Sequence, residues 1–146
     1  MVALQLERRR GRRGFTVVEV VCALAIAGIA LATIAPRIGA MRAALQLRSA
    51  CVQLQAAMVR ARVGALSQGQ SWELRVLGTG GYRVGPVAGP SQSESLPPGV
   101  VFSRTTSGGA VRFSSLGLAE NATFDLTIGT STRQVVVNQR GKVSVE

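Results

Sequence analysis

The hydropathy of the chain changes character three times. Residues 1–14 are polar and basic, and residues 15–36 are apolar with a single charged side chain, Glu19. From Val20 to Ala35 nothing is charged. Built as a helix, the run Phe15–Ala35 spans about 31 Å, the thickness of a bilayer core. From Arg37 to Ser67 the pattern stays helical. Leu47, Cys51, Leu54, Met58, Ala61 and Ala65 recur at alternating steps of four and three, which predicts one buried stripe. Arg48, Arg60 and Arg62 fall mainly off it and are expected on a solvated face.

After Ser67 the period becomes two. Trp72, Leu74 and Val76 alternate with Glu73 and Arg75, and Gly78-Thr79-Gly80-Gly81 turns the chain into a returning strand with Tyr82 and Val84. Residues 85–99, rich in Gly, Pro and Ser, read as a loop. Residues 100–104 and 110–114 read as a pair of strands joined by 105–109. Phe124, Leu126 and Ile128 mark another strand, and residues 135–138 and 142–145 a last hairpin around Gln139-Arg140-Gly141. The expected fold is α+β: a long N-terminal helix, half apolar and half amphipathic, packed on a small antiparallel β domain of six or seven strands. The expected segments are 1–14, 15–36 and 37–146, the last comprising a helix over 37–67 and a β-rich part over 70–146.

Composition narrows the chemistry. The 146 residues contain no histidine, which excludes His bases and His-ligated metal. The two cysteines, Cys22 and Cys51, cannot build a thiolate zinc site, and in one helix they stand about 43 Å apart, too far to bridge. The acids Glu73, Glu94, Glu120 and Asp125 are scattered and offer no carboxylate pair for acid–base work. No enzyme, cofactor or metal is expected. The net charge of +10 is concentrated at the N terminus. Residues 1–14 carry five arginines against Glu7, and residues 37–66 carry five arginines with no acid. The basic leader keeps the N terminus cytoplasmic.

Three readings fit the apolar segment: a secretory signal with Ala30-Leu31-Ala32 as its cleavage site, a plain signal anchor, or a leader cut on the cytoplasmic side with the helix retained. Glu19 favours the last. A carboxylate in a membrane segment costs about 2.5–3.5 kcal/mol at the centre, which a discarded signal has no use for. A local alternative is an anion favoured by the helix dipole. The surrounding Gly14-Phe15-Thr16-Val17-Val18-Glu19 resembles the prepilin peptidase recognition sequence of type IV pilins and type II secretion pseudopilins. That resemblance implies cleavage between Gly14 and Phe15 and N-methylation of Phe15. It also implies an assembly role for Glu19 and a family proline at Pro36.

The C-terminal half is similar to the secretion pseudopilin H and FimT group. The carriers are Val111-Arg112-Phe113-Ser114-Ser115-Leu116-Gly117, Phe124-Asp125-Leu126-Thr127-Ile128, and the run from Arg133 to Val143. The first expectation is a minor pseudopilin, a structural subunit of the periplasmic filament of a type II secretion system. Its implied partners are prepilin peptidase, other pseudopilins, the bacterial inner membrane and secreted protein cargo. The alternative is a FimT-like minor pilin that binds DNA during uptake through Arg140 and Lys142. In that group a second arginine can follow such a turn; here Val143-Ser144 follow instead.

Overall fold

The computed structural model describes residues 15–146, apart from the side chains of residues 33–37. The chain divides into an N-terminal unit that ends at Ile38 and a second unit, Gly39–Glu146. Helix α1 (Val17–Gln68) contributes to both. In the first unit it starts at Thr16, whose hydroxyl accepts the Glu19 backbone N–H at 3.2 Å, and it runs through Gly28 without a break. The Thr16-Val17-Val18-Glu19 spacing is that of a capping box. Gly14 lies outside the described residues, as does the side chain of Pro36.

In the second unit the predicted stripe is the seam of the core. Leu47, Cys51, Leu54, Met58, Ala61 and Ala65 are buried, joined by Ala50 and Ala57. The four alanines keep this face narrow. Two four-stranded antiparallel sheets cover it. Sheet A has the order β3-β2-β1-β5, from β1 (Trp72–Leu77), β2 (Gly81–Pro86), β3 (Gln92–Ser95) and β5 (Ala110–Phe113). Sheet B has the order β4-β6-β7-β8, from β4 (Val101–Thr105), β6 (Ala122–Ile128), β7 (Ser131–Val137) and β8 (Val143–Val145). Alternate residues of six of the strands face the core: Leu74, Tyr82, Val84, Val111 and Phe113 from sheet A, and Phe102, Phe124, Leu126, Val135 and Val137 from sheet B. One edge-to-face contact joins the sheets and a second follows it within sheet B. Tyr82 meets Phe102 at 6.4 Å between centroids, and Phe102 meets Phe124 at 6.3 Å.

Three expectations needed correction. The segment 85–99 is not all loop, since it contains β3, which pairs with β2 from Gly81↔Ser95 to Val84↔Gln92. Residues 101–105 and 110–113 do not pair with each other: β4 joins β6 and β5 joins β1. A 3₁₀ turn at Ser107–Gly109 redirects the chain between the sheets. The described residues contain eight strands rather than six or seven.

Arg60 and Arg62 are also not simply solvated. Arg60 ion-pairs with Glu94, which accepts the Tyr82 hydroxyl at 2.8 Å, so β3 is tied to both the helix and β2. Burial, then the neighbouring Glu94 carboxylate, pushes the Tyr82 phenol up from its ordinary value. On the outer face of sheet A, hydrogen bonding to Arg75, assisted by Arg112, holds Glu73 below the usual carboxylate range.

Two predictions follow from this packing. Gly64 lies against Trp72, and a Cβ there would come within 2.6 Å of the indole ring. Gly64→Ala gains about 1 kcal/mol of helix propensity but overpacks the contact at about 1–3 kcal/mol. Its melting temperature should fall and the emission of Trp72, the single tryptophan, should shift to the red; an unchanged or higher melting temperature contradicts the contact. Because the folded-state pKa of Glu73 is lowered, its stabilisation is present above the unfolded-state value and disappears as pH falls through the folded one. The urea midpoint should therefore drop between about pH 5 and pH 3, and by less in Glu73→Gln.

Candidate assembly surface and C-terminal turn

The first candidate surface is built from side chains with nothing to pack on. Phe15, Val17, Val18, Val20, Val21, Leu24, Ile26, Ile29 and Leu31 are all exposed, on every side of the helix. A helix apolar all round is a buried helix, in lipid or among other helices. Within this unit only Glu19 is charged among the described side chains, and its carboxylate has no partner there. Cys22 is exposed on the same helix and is a free thiol, whereas Cys51 is buried in the second unit, where burial raises its thiol pKa. Among the described residues no helix is long and apolar enough to cross a membrane. The side chains of residues 33–37, which continue the apolar run in the sequence, lie outside the described residues.

The second candidate surface is the β7–β8 turn. The Asn138 carbonyl oxygen of the side chain accepts the backbone N–H groups of Arg140 at 3.1 Å and Lys142 at 3.0 Å. The Gly141 N–H donates to the Asn138 backbone carbonyl at 2.8 Å. This Asx-type turn needs a left-handed residue, and Gly141 supplies it with φ 70°. Gly141 is also in close contact with the Gly117 carbonyl and the Arg62 side chain, which donates to the Gly141 carbonyl at 3.3 Å. Arg140 and Lys142 are brought together on this turn, both exposed, and neither has an ion-pair partner among the described residues. The role of Arg62 in holding the turn escaped the sequence reading, because nothing in its spacing distinguishes it from Arg48. Among the described residues no group of three His, Cys, Asp or Glu could hold a metal.

Comparison with known families settles the class. The family described as type II transport protein GspH matches residues 50–141. The chain belongs to the GspH family. The prokaryotic N-terminal methylation motif matches residues 9–35. No individually curated protein matches the chain. Two solved structures share the fold. One is the type IV minor pilin FimU of Pseudomonas aeruginosa, at TM-score 0.60 and 20% identity over 68% of this chain and 87% of that one. The other is the minor pseudopilin EpsH from the type 2 secretion system of Vibrio cholerae, at TM-score 0.55 and 12% identity over 69% and 96%.

The expected type IV pilin-like α+β fold is therefore the observed one. The GspH-family chain is a minor pseudopilin of type II secretion with a prepilin-type N-terminus, a structural subunit and not an enzyme. Membership brings processing by prepilin peptidase and assembly with other pseudopilins. The methylation motif brings anchoring in the inner membrane with the following domain in the periplasm.

The turn analysis predicts that Gly141→Ala destabilises the domain, since a left-handed conformation costs an L residue about 1–2 kcal/mol before the contact with Gly117 is counted. Arg140→Ala should leave the melting temperature unchanged. Equal losses in the two variants would mean that the turn is not held as described.

Proposed function

We propose that prepilin peptidase cuts this pseudopilin between Gly14 and Phe15, that Phe15 is N-methylated, and that Glu19 then sets the stagger between neighbouring subunits. The observation that carries this reading is the exposed, all-round apolar helix with one carboxylate that has no partner among the described residues. Cleavage leaves an ammonium on Phe15. Packed among apolar helices, an unpaired ammonium is costly. The Glu19 carboxylate of an adjacent subunit, one helical turn along, offers the compensating charge. Such a buried pair adds little net stability, but it penalises every register that leaves one charge alone. Before assembly the same helix anchors the subunit in the inner membrane, with its arginine-rich leader in the cytoplasm and residues from 37 onward in the periplasm. Secreted cargo would meet the periplasmic domain. Pro36 would mark the point where the helix leaves the apolar layer.

DNA binding through Arg140 and Lys142 has less support. Two cations on one turn can neutralise only a few phosphates, which gives weak and salt-sensitive attraction.

The test is incorporation of Glu19→Ala and Glu19→Gln into filaments sheared from cells carrying the host's secretion machine. Both variants should reach the membrane and lose their leader, yet enter filaments at about a tenth of the wild-type level or less. Normal incorporation of either variant contradicts the pairing.

A further inference from the structure

The end of the second unit where α1 stops carries an apolar patch that no other part of the unit covers. Leu116 is 77% exposed and Leu118 is 53% exposed. They flank Gly117, and Leu66 lies against that glycine, 3.1 Å from where a Cβ would stand. Val63, also exposed, is one turn before Leu66 on the same helix. A shallow groove of about 620 Å³ continues the patch between Leu118–Asn121 and Gln139–Arg140. Its lining includes Arg140 and one carboxylate, Glu120, with Lys142 on the same turn as Arg140, so basic side chains outnumber the acid by two to one.

Single exposed leucines are ordinary, but a contiguous apolar cluster with a charged rim, here net positive, is the anatomy of a protein interface. The surface is also fixed before any partner arrives. The Ala119 N–H donates to the Gln139 carbonyl at 3.0 Å, locking the two loops together. The Ser114 N–H donates to the Leu118 carbonyl at 2.8 Å, and Ala119 bridges to Phe113. A rigid surface loses little entropy on binding.

We propose that this patch docks an acidic, apolar segment of a different protein of the assembly, with an apolar side chain seated on Leu66, Leu116 and Leu118 and carboxylates facing Arg140 and Lys142. The charge balance of the chain selects that occupant over a second copy. The chain has only seven acidic residues, and Glu73 and Glu94 are already engaged in ion pairs. The leucines select protein over nucleic acid, which would meet two cations and an expanse of hydrocarbon. The proposal rests on the assembly reading above and adds the chemistry of a partner to it.

The test replaces Leu116 with photoreactive benzoylphenylalanine in the full chain, irradiates cells that carry the secretion machine, and sequences the crosslinked peptide. The expected product joins position 116 to a different subunit, at a segment with an apolar residue flanked by at least two carboxylates. The double reversal Arg140→Glu, Lys142→Glu should lower its yield about tenfold without changing the melting temperature, because both side chains are exposed. A crosslink to a second copy, to nucleic acid or to nothing overturns the proposal, as does a yield indifferent to the reversal. The two readings fail separately. Loss of Glu19 dependence with the crosslink intact removes the register claim alone. Normal Glu19-dependent assembly without the crosslink removes the docking surface alone.

Discussion

The seam between the inner face of α1 and the two sheets sets the terms for everything else in the second unit. Eight positions of the helix are buried there, four of them alanine, so the strands approach a nearly smooth cylinder. The larger side chains come from the sheets, with Tyr82 of sheet A meeting Phe102 of sheet B, which in turn meets Phe124 of its own sheet. Burial at about 25 cal/mol per Å² of apolar surface makes this seam the main stabilising contact. It fixes which side of each strand faces inward, and so which side is left for charge. Glu73, Arg75, Arg83 and Arg112 all fall on the outer side of sheet A for that reason.

The same helix is read in opposite ways by its two surroundings. In the second unit its inner stripe is satisfied by strands. In the N-terminal unit the apolar side chains from Phe15 to Leu31 have no such cover among the described residues. A subunit of this kind is incomplete by itself, which is the physical content of belonging to a filament-forming family. The proposed pairing of Glu19 follows from the same constraint: a lone carboxylate among apolar helices is costly without a charge of opposite sign.

Much of this was legible in the residues because burial leaves a period behind. The steps of four and three from Leu47 to Ala65 and the alternation in β1, β2 and β6 each name the inner face correctly. What escaped is what carries no such pattern. Gln92–Ser95 forms an edge strand whose side chains are polar and largely exposed, held by backbone pairing and by Glu94. The first half of β7, Ser131–Gln134, is exposed in the same way. Residues 101–105 and 110–113 look like a hairpin because they are close in sequence. The positive φ values at Ser107, Gly108 and Gly109 instead send the chain from one sheet to the other. At the C-terminal turn the cations were visible, but Arg62 beneath it and the uncovered Leu116 and Leu118 were not. Hydropathy alone would have buried those leucines.

The central proposal is that cleavage after Gly14 leaves a methylated Phe15 as the N terminus, two residues before α1 begins. Intact mass measurement of the chain extracted from host membranes tests it directly. The account predicts the mass of residues 15–146 plus one methyl group, with the methyl located on the Phe15 amine by fragmentation. A chain that keeps its arginine-rich leader, or that is cut near Ala32 so that Glu19 is discarded, would contradict it.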